Sequence, residues 1–528
     1  MRSETIRTYK TVHTWTGIVA GLFLFVAFYA GALSIFEPAL THWASPPRTL
    51  PLVSLEQAPE LIERTIAAEA QARREFTLHL GEGHEVPARL TWRMSRHDTE
   101  PHAATLDEDG GVSVTRLRPA GLGQFVDDLH RSAGLPGDVE LGAAFMGVVS
   151  MLYVLALVSG VVIVVPSLVR DLCALRIGPN LKRMWMDAHN LVGIVSLPFH
   201  FFIAVTAVVF GLHDEIYDVL DRVVYEGQLK KVFQVESPFA GFGGKGGSAP
   251  MLPPTELLSR LQAAAPDFQP TAMDYRNAGT QDASVMVWGT DERQLMRGRG
   301  FAIMDAVSGE VVNASYLPGH QNGYSATVSA FFALHMGSFG GPAVKWGYFV
   351  LGLAGAFLFY SGNLLWIETR RRRDKDNGGG QSRSTRAMAA LTVGICLGCV
   401  AGISVAVAAS KWLHGVVDDL GAWQWGLYYA VLVAAVAWAF RRGAARAGYE
   451  LSWLAVAATL AVPLTSMLAW LVPGLGLWAW GGGIGIDLGA LAGAIGMAML
   501  ARAARRRAHS TPADSVWARA GKEMSVPA

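Results

Sequence analysis

The feature that most constrains this chain is a long apolar segment that occurs twice, each time opened by a histidine. The first copy, from His13, reads HTWTGIVAGLFLFVAFYAGALSIF, and the second, from His189, reads HNLVGIVSLPFHFFIAVTAVVFGL. Gly-Ile-Val follows each histidine at the same distance, so that Gly17 corresponds to Gly193. An apolar run of about 20 residues is long enough to cross a bilayer as a helix. The chain is therefore predicted to contain two copies of one membrane unit.

A second pair of histidines supports this duplication. Leu129-His130 precedes one apolar segment and Leu334-His335 precedes another. Of the 528 residues 51% are hydrophobic and only 16% are charged, which is typical of an integral membrane protein. The predicted fold class is an all-α polytopic membrane protein of about eight transmembrane helices. Its first four helices form a parallel internal repeat, and two small α+β inserts interrupt them.

Clusters of Lys and Arg orient the predicted helices. They follow the second, fourth, sixth and eighth apolar segments, starting at Arg170, Arg370, Arg441 and Arg502. Because positively charged loops stay in the cytoplasm, both termini are predicted to be cytoplasmic and both inserts periplasmic, in a bacterial inner membrane. The predicted segments are 1–40 (helix one), 41–126 (insert one), 127–166 (helix two), 167–187 (cytoplasmic loop), 188–213 (helix three), 214–326 (insert two), 327–369 (helix four), 370–387 (linker), 388–507 (four further helices) and 508–528 (tail).

Finer predictions concern the interior of these segments. The third helix is expected over about 188–212 and the fourth over about 329–366, without a broken helix pair. Alternation and helical periodicity predict the elements of the inserts. These are helices at 58–74 and 255–265, strands at 88–94, 111–117, 284–288 and 300–304, and a glycine-rich linker at 241–247.

The histidines are predicted to bind haem. Parallel repeats pack about a pseudo-twofold axis along the membrane normal, which brings His13 toward His189 and His130 toward His335. Two imidazoles that approach from opposite sides suit the fifth and sixth ligands of a haem iron, and helix bundles build cofactor sites in this way. A histidine at a membrane surface can also be an ordinary interfacial residue, but four at matched depths favour ligands. The sequence therefore predicts two bis-histidine haem sites.

Other residues are candidates for supporting roles. Gly17 and Gly193 lie one turn from their histidines, where a missing side chain leaves room for a porphyrin. Arg131 and Lys345 are candidates to hold haem propionates, although topology also explains basic residues near span ends. His200 is a candidate relay between haems or an alternative outer ligand. It lies ~16 Å along the helix from His189 at 1.5 Å per residue.

Two cysteines of the C-terminal helices and four histidines of the first insert are predicted to have structural roles. Cys396 and Cys399 lie in an apolar helix and are predicted to be packing residues, and no Cys-x-x-Cys-His motif for covalent haem attachment occurs. No Gly-x-Gly-x-x-Gly motif lies between a strand and a helix, so a separate electron donor is expected, either a cytoplasmic reductase or membrane quinol.

Four histidines of the first insert are predicted to be solvated surface residues: His79, His84, His97 and His102.

The His13–Gly17 opening, the Leu129-His130-Arg131 and Leu334-His335 motifs and the two inserts resemble PepSY-associated transmembrane proteins, and most of all the dihaem inner-membrane ferric-siderophore reductases. The resemblance covers about residues 4–372. It implies that a pair of haem b groups carries electrons outward to reduce a ferric siderophore in the periplasm and release ferrous iron. It also implies PepSY modules at about 50–120 and 250–318. The axial ligands that it implies are His13, His130, His189 and His335.

Two other functions stay open at this point. A non-enzymatic PepSY membrane protein would bind or restrain a periplasmic peptidase, or sense the state of the envelope, and would need no cofactor. A permease would carry the intact siderophore, and the expected absence of a broken helix pair disfavours it. The expected partners are therefore the ferric siderophore, the electron donor and the membrane, with no nucleic acid.

Overall fold

The computed structural model describes residues 3–47, 50–83, 86–95, 98, 100–168, 180–229, 247–376, 381–479, 483–510 and 515–518. The chain forms two compact units. We call residues 1–44, 120–212 and 348–528 the membrane unit, and residues 45–119 and 213–347 the sheet unit. Several predictions lie outside the described residues. They concern Arg170, His84, His97 and the linker at 241–246.

Long apolar helices form the membrane unit. Among the described residues, seven helices are long and apolar enough to cross a membrane, or eight spans if one bent pair is counted as a single span. This confirms a polytopic helical membrane protein. The helices are α1 (Ser3–Ser34), α2 (Glu37–Ala44), α5 (Leu122–Ser132), α6 (Val139–Val164), α7 (Leu181–Val195), α8 (Leu197–Gly211), α12 (Gly341–Asp376), α13 (Arg383–Leu413), α14 (Leu420–Arg442), α15 (Ala444–Leu471) and α16 (Gly485–Ser510).

The sheet unit is built on one antiparallel sheet of eight strands, in the order β4-β3-β2-β1-β5-β6-β7-β8. The strands are β1 (Glu75–His79), β2 (Leu90–Trp92), β3 (His102–Leu106), β4 (Val112–Arg116), β5 (Gln269–Arg276), β6 (Ser284–Thr290), β7 (Gly300–Asp305) and β8 (Val311–Tyr316). Its helices are α3 (Ala58–Ala68), α4 (Ala70–Arg74), α9 (His213–Val223), α10 (Pro254–Ala264) and α11 (Gly323–Met336).

The two inserts do not form separate sheets, because β1 of the first pairs with β5 of the second. The register places Phe76 beside Tyr275, and their rings stack at 4.8 Å. Both rings are buried in a core that also receives Leu61 of α3 and Leu257 of α10. Alternation within each insert predicts strands, but the pairing between inserts is a long-range choice made by this shared core.

The third span is broken, so the expectation of no broken helix pair is wrong. Helices α7 and α8 are bent by 72° at Ser196. Pro198 lies in the first turn of α8, where a proline is tolerated because its missing N–H has no intrahelical partner there. The hydroxyl of Ser196 donates to the carbonyl of Val192, which also accepts from the Ser196 backbone N–H at 3.0 Å.

The predicted fourth helix is two helices, α11 and α12, and this changes the place of Lys345. Helix α11 ends at Gly337, whose φ of 60° is left-handed and suits a residue without a side chain. His335 is therefore in the last turn of α11, whereas Lys345 is an exposed residue of α12 and does not share its helix. His130 likewise occupies the last turn of α5, before the left-handed residue Ala133. Both outer histidines thus precede their long helices in the same local structure.

Candidate functional site

The first predicted pair, His13 and His189, comes together inside the membrane unit. His13 is on α1 and His189 is on α7, and their ring centroids are 6.3 Å apart with an angle of 79° between the ring planes. Two metal–nitrogen bonds of about 2.0–2.1 Å each, added to the short distance from each ring centre to its own nitrogen, span roughly 6 Å. The separation of the rings is therefore the one that a shared metal ion between two imidazoles requires.

The Nδ1 atoms of these histidines are both held by hydrogen bonds. His13 Nδ1 lies 2.8 Å from the carbonyl oxygen of Ala156, which can only accept, so Nδ1 carries the proton. His189 Nδ1 lies 3.0 Å from Ser361 Oγ, and that hydroxyl donates to the carbonyl of Leu358 at 2.9 Å. Within the described residues, neither Nε2 has a hydrogen-bond partner. Metal-binding histidines use the same arrangement, since a second-shell acceptor on one nitrogen fixes the tautomer and presents the other.

A Ser-Gly pair next to each of these histidines was missed by sequence reasoning. On α6, Ser159 Oγ is 3.5 Å from His13 Nδ1, and a Cβ at Gly160 would lie 3.1 Å from the same ring. On α12, Ser361 bonds His189, and a Cβ at Gly362 would lie 3.4 Å from that ring. The repetition of Ser-Gly near the ends of the second and fourth apolar segments was the available signal.

The two glycines predicted to leave room for a porphyrin differ in their surroundings. A Cβ built on Gly17 would meet no atom within 4 Å, whereas one on Gly193 would meet Leu358 at 3.5 Å, an ordinary contact. Space beside the pair is therefore open at Gly17 and bounded by a flexible side chain at Gly193. The role of both glycines stays a prediction.

His130 has the same hydrogen-bonding arrangement as His13. Its Nδ1 lies 2.8 Å from the carbonyl oxygen of Ala27 on α1, and a Cβ at Gly31 would approach Nδ1 to 2.6 Å. His335 belongs to the sheet unit, and its pairing with His130 stays a prediction. Arg131, a candidate for holding a propionate, forms an ion pair with Glu140 at 2.6 Å.

His200 is fully buried on α8 and lies among aromatic rings. The ring centroids of Phe28, Tyr153 and Phe199 are 5.5, 6.1 and 5.5 Å from that of His200. In the part of the chain that the structure describes, both nitrogens of His200 and the hydroxyl of Tyr153 are buried without a hydrogen-bond partner. A Cβ at Gly355 would lie 3.0 Å from the His200 ring. His200 is therefore a tightly enclosed polar residue, separate from the His13–His189 pair.

The donor set fits a haem better than a bare metal ion. Among the described residues, no group of three or more His, Cys, Asp or Glu side chains is placed to hold a metal. A two-histidine site needs further donors, and a porphyrin supplies four nitrogens of its own. Cys396 and Cys399 are free thiols buried in the helix core, consistent with the predicted packing role.

The surface role predicted for His79 and His102 is only partly right. His79 Nε2 lies 2.9 Å from Thr91 Oγ1 across the strands, and the ring of His102 stacks on Trp92 at 5.5 Å. Burial lowers the pKa of His79 below its ordinary value. Both are partly enclosed residues of the sheet and not freely solvated ones.

Comparison with known proteins was made at the level of families. A family model described as "PepSY-associated TM region" matches residues 10–369. The match covers more than half of the 528 residues and includes the four histidines at positions 13, 130, 189 and 335. Helices α13–α16 lie beyond it. No curated protein is similar enough in sequence to match the chain.

Proposed function

Since the chain belongs to the PepSY-associated transmembrane family, as its sequence predicts, we propose that it is a haem b electron-transfer protein of the inner membrane that reduces a ferric siderophore, or another ferric chelate, at the periplasmic face. The observation that carries the proposal is the His13–His189 pair, with rings 6.3 Å apart and both Nδ1 atoms held. His13 and His189 would hold one haem, and His130 and His335 would hold the second.

When bound, each haem supplies a one-electron carrier whose iron has no open coordination position, which favours electron transfer over oxygen chemistry. The residues of the chain orient the ligands and exclude water. The carbonyl of Ala156 and the hydroxyl of Ser361 fix the tautomers and the orientations of His13 and His189. The surrounding apolar helices exclude water, and burial of this kind is one of the ways in which proteins set a haem potential.

Electrons would enter from a cytoplasmic reductase or from quinol and leave toward the periplasm. Ferric iron is held tightly by the hard oxygen donors of a siderophore, and the lower charge of ferrous iron weakens that attraction. Reduction is therefore enough to release the metal, and no acid–base residue is required. Outer-sphere electron transfer also requires no catalytic side chain in the sheet unit.

The experiment is an absorption spectrum of the purified full-length protein, followed by titration with a ferric chelate. The expected result is a b-type spectrum that weakens by half in His13→Ala and His189→Ala. The exposed His320 provides a control, since His320→Ala should leave the spectrum unchanged. Addition of a ferric hydroxamate to the dithionite-reduced protein should reoxidise it. A colourless wild-type protein would refute the proposal and favour the peptidase-binding alternative.

One observation favours a second candidate, a siderophore permease. The bent α7–α8 pair resembles the discontinuous helices that line transport sites. Transport and reduction are separated by a siderophore labelled on its organic part. Accumulation of that label inside proteoliposomes would support the permease, whereas release of ferrous iron outside them without uptake of label would support the reductase.

A further inference from the structure

The His200–Tyr153 pair is an isolated polar feature in an apolar environment. His200 is 0% exposed and Tyr153 is 2% exposed, and Phe28 and Phe359 pack around them. Within the described residues, neither nitrogen of His200 nor the Tyr153 hydroxyl has a partner. Buried polar atoms without partners cost free energy. The pair therefore lowers the stability of the helix bundle.

The pair also breaks the internal repeat. The duplicated segments align His13 with His189, and the same offset aligns Leu24 with His200. The matched Ser-Gly pairs at 159–160 and 361–362 likewise align Tyr153 with Gly355. Each half of the repeat thus supplies one member of the pair: the first half has Leu24 and Tyr153, and the second half has His200 and Gly355.

The position of the pair relates it to the first histidine site. Tyr153 lies one turn of α6 from Ala156, the residue that accepts the hydrogen bond from His13. His200 contacts Phe28, next to Ala27, which binds His130. The pair therefore adjoins the residues that hold His13 and His130, and Tyr153 is on the same helix as Ala156, which holds His13.

We infer that the His200–Tyr153 pair makes the two haems unequal by lowering the reduction potential of the haem held by His13 and His189. This inference rests on the proposed function. A haem with two neutral imidazole ligands carries a positive charge at its centre in the ferric state and none in the ferrous state. Reorientable N–H and O–H dipoles in a low-dielectric region stabilise the charged state. A lower potential at this haem makes transfer to the second haem favourable and gives the electron its direction.

The test uses His200→Leu, which copies the other half of the repeat, and Tyr153→Phe, which removes only the hydroxyl. An optical redox titration of the full-length protein in nanodiscs resolves the two midpoint potentials, and His189→Ala assigns them. His200→Leu is expected to raise the first haem's potential and to lower the equilibrium constant for transfer between the haems about tenfold, which is 59 mV for a one-electron couple. Tyr153→Phe should shift it in the same direction.

The matched control is Thr206→Val on the same helix. Thr206 is also buried, but its hydroxyl donates to the carbonyl of Phe202 at 2.6 Å, so its removal should leave both potentials unchanged. Unchanged potentials in His200→Leu and Tyr153→Phe, with both haems bound, would overturn the inference and leave the proposed function intact. Loss of a haem in His200→Leu would also overturn it, since His200 would then be an axial ligand. A wild-type protein without haem would instead overturn the proposed function.

Discussion

Gly31 controls the position of His130, and Gly31→Ala is the sharpest test of that site. A Cβ at Gly31 would lie 2.6 Å from Nδ1 and 2.8 Å from Cε1 of His130, so the imidazole must move. Its 2.8 Å hydrogen bond to the Ala27 carbonyl would be lost. The lost bond costs ~1 kcal/mol and overpacking costs ~1–3 kcal/mol, whereas alanine gains only ~0.5–1 kcal/mol over glycine within a helix. We expect a net loss of ~1–3 kcal/mol.

The same substitution at Gly17 is the matched control, because a Cβ there meets no atom within 4 Å. Gly17→Ala should raise the stability of haem-free protein by ~0.5–1 kcal/mol and should reduce haem binding only if the porphyrin occupies that space. Thermal unfolding in detergent and haem content per chain measure both effects. A Gly31→Ala protein that keeps two haems and melts no lower than the wild type would refute this reading of His130.

Three further predictions concern hydrogen bonds and buried charges. Ser361→Ala removes the partner of His189 Nδ1, and haem transfer to apomyoglobin should show affinity reduced about 10–100-fold; unchanged affinity would remove Ser361 from the site. Lys411 is 1% exposed, with Nζ 2.9 Å from Ser466 Oγ and 3.8 Å from the Trp43 ring centroid, and Asp487 is 5% exposed. Lys411→Met should lower the thermal stability by removing the electrostatic attraction between Lys411 and the buried carboxylate of Asp487, and adding Asp487→Asn should restore most of it; equal losses in both proteins would contradict this. Burial lowers the pKa of His79, so folding favours the neutral imidazole. The contribution of His79 to stability is therefore complete above about pH 6.5 and is lost as the pH falls through the pKa of His79 in the folded state. The protection factors of the β1 amides, which correct the exchange rates for their intrinsic pH dependence, should fall on acidification in the wild type and fall less in His79→Gln.

Much of the candidate site could be predicted from the duplicated sequence. His13 and His189 are recognisable because each opens an apolar segment with Gly at the same distance, and the predicted pair comes together. The Nδ1 partners could not be predicted in the same way. A backbone carbonyl such as that of Ala156 has no side-chain signature, and a single serine in an apolar helix is common.

The sheet unit shows the same division between local and long-range information. Alternating residues predict β2, β4, β6 and β7, although β2 is buried throughout and β7 is buried at all but its last residue. They do not predict that β1 and β5, 190 or more residues apart, form adjacent strands through the register of Phe76 with Tyr275. That choice depends on a core to which both inserts contribute.

The amino-acid sequence alone determined that this is a multi-pass membrane protein with a repeated histidine unit, because apolar length and local repetition are properties of neighbouring residues. Only the tertiary structure decided where the third span bends, which nitrogen of each histidine is available, and that His200 and Tyr153 are enclosed together. Those features arise from contacts between residues far apart in the chain, and the free energy of such contacts depends on packing in three dimensions.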